Sequence, residues 1–397
     1  MSYVTPCKLL ASATLIGLLL AVMAIAQPGF SNNSGEVYRE VQSVSFSPDG
    51  RKVAVVGITG RDSGVPFKRY YDDVSRTISL LDAGTPSHCT VVEHEFKKGP
   101  RGPLNPWGWP VAFAPNGQTL FVANLSGGTM RAWDIDSERW EESQLVDSIR
   151  ASALEVSHRG NWVVYRGRDH AGVVNVETKQ KLNLGPDWKG AITQFSSNGK
   201  RLVVIDGDKV QVWDLEQQQI VAEWHQDGMH ISWRPVLALS PTGTQLALRC
   251  GDGTRLFEVD SKESRVLSAE HIEIKETSRG TAITQRGGEM SRGARYAPDG
   301  SVFVLWGDYG IKFFDVTHDY RLLRTVAYHV TCFAFSPDGK TYATGDRHGA
   351  LTLFKTSTDE VLRTAELRGD IAAPDSSKPI WRWPEEPVGD ASSGDGR

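Results

Sequence analysis

An all-β chain of seven similar four-stranded sheets, stacked radially, is the fold class that the sequence predicts. Three observations carry this expectation. A five-residue turn signature recurs seven times, and β-prone runs flank its copies. The composition, with 39 Gly and 12 Trp against 5 Met, favours turns and aromatic packing over long helices. A unit of four short strands cannot bury both of its faces alone; radial stacking buries both and protects the edges. With 40% hydrophobic and 23% charged residues in 397, the chain can build a sizeable core.

Taken in order, the first element is a targeting segment over 1–26. Lys8 is its only charge, and Leu9 to Ala26 is uncharged and mostly apolar. Ala24-Ile25-Ala26 places small residues where a signal peptidase cuts, before Gln27. The alternative is a retained anchor, because eighteen residues at about 1.5 Å each reach about 27 Å, just enough for a bilayer core. Either way the body is expected outside the cytoplasm, secreted, periplasmic or anchored, since Lys8 favours an inside N-terminus. The only membrane contact expected is through residues 9–26, if uncleaved. Residues 27–35 read as a linker, 36–368 as the repeat body, and 369–397 as a disordered tail rich in Pro, Ser, Asp and Gly. Trp381 and Trp383 in that tail are candidates to dock on the body or on a partner.

Within the body the signature appears at Phe46–Gly50, Phe113–Gly117, Val156–Gly160, Phe195–Gly199, Leu239–Gly243, Tyr296–Gly300 and Phe335–Gly339. Pro or a small polar residue, then Asp or Asn, then Gly, is turn chemistry. A β-prone run precedes each turn and a second follows it, as in Lys52–Val56 or Leu202–Ile205. A third run ends in an apolar residue and an acid: Trp133-Asp134, Trp213-Asp214, Phe257-Glu258, Phe314-Asp315 and, more weakly, Leu81-Asp82. A fourth run such as Val361–Thr364 closes several units. The short Glu36–Glu40 stretch leaves open whether an N-terminal strand closes the ring.

These residues resemble the WD40 repeat family, whose fold is the β-propeller, over roughly Val37 to Leu367. The resemblance implies a seven-bladed WD40-like β-propeller with four antiparallel strands per blade. The repeats are degenerate. The opening Gly-His dipeptide is absent, and the family's aspartate six residues before Trp is Gly127 and Gly207 in the Trp133 and Trp213 units. The last unit has His348 there and Phe354 in place of Trp. The family's Asp-His-Ser/Thr-Trp network is therefore incomplete in these blades, and apolar stacking must carry more of the stability.

Chemistry is sparse. Cys89, Cys250 and Cys332 lie in three units with no zinc-ligand spacing, and read as buried small hydrophobes. No nucleophile elbow, P-loop or dinucleotide fingerprint occurs. Asp206-Gly207-Asp208 lacks the remaining ligands of a calcium loop and reads as a hairpin turn. No metal and no cofactor is expected. A net charge of -4 gives no support to nucleic-acid binding. Asn32 and Asn124 each open an N-glycosylation acceptor pattern.

Partner binding is expected at long insertions, where function on a rigid scaffold usually sits. Ile58–Arg76 carries Phe67, Lys68, Arg69, Tyr70 and Tyr71, and Lys97–Trp109 carries Arg101 and Trp107. A third insertion spans Ile272–Arg292. The first two follow even-numbered strands and should share one face. Inner-strand starts add Glu40, Trp107, Arg150, Lys189, Trp233, Met290 and His329 around one opening. Of these, Trp107, Trp233 and His329 join the candidate contacts, although aromatics here also suit packing within the rim. The leading function is a non-catalytic scaffold binding an unidentified protein outside the cytoplasm. The alternatives are an enzyme in the channel mouth, using His329 with a carboxylate, and a regulatory or sensory domain of a membrane-associated system.

Overall fold

The computed structural model describes residues 37–367 and 381–382, except 63–70, 85–88, 102–110, 125–128, 142–152, 158–160, 167–170, 183–190, 227–235, 251–252, 270–271, 278–279, 286–290, 308–309 and 328. Seven antiparallel sheets follow one another along the chain. Blade 1 holds β1 (Val37–Phe46), β2 (Lys52–Asp62), β3 (Tyr71–Asp82) and β4 (Cys89–Arg101). Blade 2 holds β5 (Val111–Phe113), β6 (Thr119–Asn124), β7 (Thr129–Asp134) and β8 (Arg139–Glu141). Blade 3 holds β9 (Ala153–Val156), β10 (Trp162–Arg166), β11 (Ala171–Asn175) and β12 (Lys181–Leu182). Blade 4 holds β13 (Ile192–Phe195), β14 (Arg201–Asp206), β15 (Lys209–Asp214) and β16 (Gln219–His225). Blade 5 holds β17 (Leu237–Leu239), β18 (Gln245–Cys250), β19 (Gly253–Glu258) and β20 (Ser264–Ala269). A two-stranded ribbon, β21 (Ile272–Thr277) and β22 (Gly280–Gln285), precedes blade 6. Blade 6 holds β23 (Ser291–Tyr296), β24 (Val302–Gly307), β25 (Gly310–Asp315) and β26 (Arg321–Val326). Blade 7 holds β27 (Cys332–Phe335), β28 (Thr341–Gly345), β29 (Ala350–Lys355), β30 (Val361–Leu367) and β31 (Trp381–Arg382).

The period of two along each strand explains the ring. Successive side chains point to opposite faces of a sheet. On β2, Val53 and Val55 enter the core shared with blade 7, whereas Ala54 and Val56 enter the core shared with blade 2. On β10, Val163 and Tyr165 face blade 2, and Trp162 and Val164 face blade 4. On β14, Leu202 and Val204 face blade 3, and Val203 and Ile205 face blade 5. Further cores join blades 5 with 6 and 6 with 7. Each buried Val, Leu, Ile or Phe stabilises by about 1.5–3 kcal/mol, so a strand buried on both faces serves two joints at once.

The turns behave as their chemistry dictates. In blade 1 the Ser47 hydroxyl donates to Asp49 Oδ1 at 2.6 Å and accepts from the Lys52 amide at 2.9 Å. The Asp49 carboxylate also accepts from the Arg51 amide, and Gly50 takes φ +72°. Blades 4 and 7 repeat the network with Ser196–Asn198 and Ser336–Asp338. The acid ending the third strand has a separate task. Asp134, Asp214 and Asp315 accept backbone amides of the turn into the fourth strand.

The ring closes by face packing. β1 is the inner strand of blade 1 itself, hydrogen-bonded to β2, and does not complete the last sheet. Val41, Val44 and Phe46 pack instead on Ala334, Leu353 and Leu367 of blade 7. The Val41 carbonyl accepts from the Thr331 hydroxyl at 2.5 Å, and the Cys332 thiol lies 3.6 Å from the same oxygen.

Several expectations need correction. The tail over 369–397 is not wholly without structure: Trp381 and Arg382 pair with Leu367 and Glu366, and Trp381 is 2% exposed in the seam between blades 7 and 1. One large indole supplies the apolar area that the surrounding composition lacks. The Ile58–Arg76 insertion is largely strand, because β2 and β3 stay paired out to Asp62 and Tyr71. Ile58 and Val74 bury together beside Tyr38, which holds this extension in register. Lys97–Arg101 likewise continues β4, and most of Ile272–Arg292 forms the β21–β22 ribbon and the start of β23.

Apolar stacking does replace the missing polar network. Among the described residues, the indole nitrogens of Trp133 and Trp213 meet no acceptor. Trp133 instead packs edge-on against Trp140 at 5.1 Å. The expected targeting segment, 1–26, and the linker, 27–35, lie outside the described residues. Among the described residues, no helix is long and apolar enough to cross a membrane.

Candidate functional site

Two places at opposite ends of the channel are candidates. The first follows from strand register in blade 1. Val37 at the start of β1 pairs with Arg61 near the end of β2, so the β2–β3 connection leaves at the end where β1 begins. Tyr71 at the start of β3 pairs with Arg101 at the end of β4. The segments 63–70 and 102–110 therefore both depart from this end, from neighbouring strands. Phe67, Lys68, Arg69, Tyr70, Trp107 and Trp233 lie outside the described residues. His329 is exposed just before β27, and among the described residues no carboxylate bonds to it. Glu40 is 8% exposed on β1 and belongs to the blade interior rather than to an open rim. Arg150, Lys189 and Met290 lie outside the described residues.

The flank of this extended blade carries polar side chains that sequence reasoning missed. Ser75 Oγ and His94 Nε2 are 2.7 Å apart across β3 and β4. Burial holds the His94 imidazole below its usual pKa, favouring the neutral ring. Arg131 lies 3.6 Å over the Trp140 ring and 3.7 Å from Glu93, tying blade 2 to blade 1. Burial pushes the Glu93 carboxyl up, Arg131 pulls it back down, and Glu95 adds to the rise. Ser75 is 4% exposed, so this pair is a structural hydrogen bond rather than an accessible nucleophile.

The second place is the channel at the end where the recurrent turns lie. A cavity of 520 Å³ is walled there by strands of all seven blades. The prolines of the turns ring its mouth, Pro48, Pro298 and Pro337 each lying beside the glycine of the next turn, at Gly117, Gly339 and Gly50. Inside stand Glu155 of β9, Gln194 of β13 and Arg295 of β23. The Glu155 carboxylate accepts from the Phe195 amide at 2.9 Å, which orients it toward blade 4. Burial lowers the Arg295 pKa and the Glu155 charge raises it again. Its Nε is buried and, among the described residues, meets no acceptor. Among the described residues, no group of three or more His, Cys, Asp or Glu is arranged to hold a metal ion.

The family model described as WD domain, G-beta repeat matches residues 320–355. That span covers the outer strand of blade 6 and the first three strands of blade 7. The fold is a WD40-type β-propeller. Among solved structures, the chain is similar to one titled Kuenenia stuttgartiensis hydrazine synthase, at 14% identity and a TM-score of 0.50. The match covers 84% of this chain and 99% of that one. At that identity the likeness is one of fold, and fold does not carry chemistry. No curated protein matches the sequence.

The outer strands here are partly apolar and open. Val91, Ile220, Val266, Leu322 and Val361 on five different fourth strands are each more than a third exposed.

Proposed function

We propose that this WD40-type propeller is a non-catalytic scaffold that binds a protein partner outside the cytoplasm. Propellers of this type commonly serve as platforms for protein interaction. The observation that carries the reading is the Tyr71–Arg101 pairing, which launches 63–70 and 102–110 from adjacent strands at one end. The sequence of those segments holds Phe67, Lys68, Arg69, Tyr70 and Trp107, and aromatics with Arg are the usual anchors of an interface. The apolar stretch 9–26 supports export of the body, either cleaved after Ala26 or kept as an anchor.

The test is affinity capture from the native extracytoplasmic fraction, with the intact chain and with Tyr70→Ala/Tyr71→Ala. A partner captured only by the intact chain supports the scaffold. The double substitution should cost about 2 kcal/mol or more in affinity, as buried anchors do. Its effect on stability should stay within about 0.5 kcal/mol. Equal capture by both chains, or loss of binding only in step with unfolding, removes this face from the proposal.

A further inference from the structure

Among the described residues, blade 7 is the one blade whose fourth strand carries a fifth. β31 pairs antiparallel with β30 there, Trp381 with Leu367 and Arg382 with Glu366. Thirteen residues separate Leu367 from Trp381, against the roughly two to five of a hairpin loop. No tight turn delivers this strand to the edge; contact with the edge holds it. Paired side chains share one face of a sheet, and Trp381 joins Leu367 in the apolar seam between blades 7 and 1. Trp381 is 2% exposed, and among the described residues its Nε1 meets no acceptor. The slot therefore takes up apolar bulk and reads no polar group.

We propose that the outer edge of β30 is a docking site for an extended segment of a partner protein. That segment has a large aromatic residue at its start, β-prone residues after it and no proline. The chain's own β31 holds the site in its absence.

β31 uses only part of the edge. Two of its residues pair, whereas β30 runs over seven, Val361–Leu367. The same register, continued, reaches Pro384 at Thr364 and Pro387 at Val361. Proline has no amide to give to a ladder. The far end of the edge is apolar and open, with Val361 55% and Leu362 44% exposed. A segment without those prolines can pair along the whole of β30. Main-chain bonds then supply affinity and the seam selects the aromatic residue. Those added pairs are what let a separate chain compete with a tethered strand, whose effective concentration is on the order of mM. The pairing of Glu366 with Arg382 adds a preference for a basic residue after the aromatic one. The site shares no residue with the face proposed at 63–70 and 102–110.

The experiment is fluorescence anisotropy with the intact chain and two labelled peptides. One peptide is residues 380–388 as they stand; the other carries Pro384→Thr and Pro387→Thr. The proline-free peptide is expected to bind at least about ten-fold more tightly, the effect of several added cross-strand pairs. Trp381→Ala within that peptide should weaken it by about ten-fold or more. In the chain, Leu362→Asp and Glu366→Arg change exposed side chains of the edge, and each should weaken the proline-free peptide by a few-fold or more. Arg382→Glu in the peptide should restore binding to the Glu366→Arg chain. Trp381→Ala in the chain removes the tethered competitor and should tighten both peptides by at least about ten-fold. Where that variant does not fold, the two edge variants decide alone. Peptide binding here and partner capture at Tyr70 and Tyr71 are separate readouts, so either can fail without the other. Equal binding of the two peptides, no binding of the proline-free one, or binding unchanged by both edge variants overturns the proposal.

Discussion

The Val41 amide donates to the Asp346 carbonyl at 2.9 Å, joining the first blade to the last. Around this bond the two backbones come very close. A Cβ on Gly345 would sit 2.5 Å from Val41 Cβ and 2.6 Å from Cys332 Sγ. Gly345→Ala should therefore destabilise by about 1–3 kcal/mol, the cost of overpacking a dense interior. Gly57 faces the same seam, but its added Cβ would meet only the flexible end of Leu367, at 2.8 Å. Gly57→Ala should cost clearly less. Denaturant melts of the two variants check the order; equal losses would mean that the seam yields uniformly.

Trp381 buries a full indole in that seam from a two-residue strand. Trp381→Ala should cost about 3–5 kcal/mol, as buried Trp truncations do. Trp383→Ala in the same tail is the comparison. Thermal melts in which Trp381→Ala loses no more than Trp383→Ala would show that burial of Trp381 contributes little.

A second prediction at blade 7 concerns its turn between β29 and β30. Asp359 accepts from Arg324 Nε at 2.5 Å and Nη2 at 2.9 Å, and from the Tyr342 hydroxyl at 3.0 Å. Its φ of +57° is one that Asn tolerates well. Asp359→Asn keeps the backbone and the acceptor oxygen but removes the charge facing Arg324. A loss of about 1.5–3 kcal/mol is expected, the worth of a hydrogen bond to a charged group. Calorimetry of the variant decides this.

Acid should destabilise the fold in two windows. His94 has a lowered folded pKa, so the fold disfavours its charged form. Its contribution is present above the unfolded pKa near 6.5 and is lost as pH falls through the folded value. Asp338 also has a lowered folded pKa, chiefly because Ser336 donates to it. Its contribution is present above about 3.8 and is lost below. Asp338→Asn should shrink the lower window, to which Asp49, Asp134, Glu223 and Asp315 also contribute, while keeping the turn, since blade 4 builds the same turn with Asn198. Replacing His94 by Asn should flatten the upper one. Melting temperature against pH for the two variants reads both windows.

The ring was legible because its determinants are local. Ser47-Pro48-Asp49-Gly50 specifies a turn within five residues, and Val53 to Val56 alternate visibly between faces. The acids after the third strands were legible as repeat marks, although their turn-capping task was not. Trp381 gave no such signal, because two paired residues have no period and their neighbours are turn-rich. The strand extension past Ile58 was readable in part: Ile58 and Val74 continue the apolar alternation on either side of the insertion. The channel groups were least legible. Glu155 and Arg295 belong to blades that are not neighbours, and only closure of the ring brings their charges into one chamber. Their shared place, just before the turn's apolar residue, was the signal available once the repeats had been aligned on one another.

Closure by face packing also has a mechanical consequence. Six of the seven joints between blades are backed by a covalent connection along the chain. The seventh, where Val41 meets Asp346 and Trp381, is held by non-covalent contacts alone. A stretching force between the two ends of the propeller would bear first on that joint. It would open the ring into an arc whose remaining sheets keep their neighbours, so yielding begins as a zipper released from one tooth rather than as collapse of the whole.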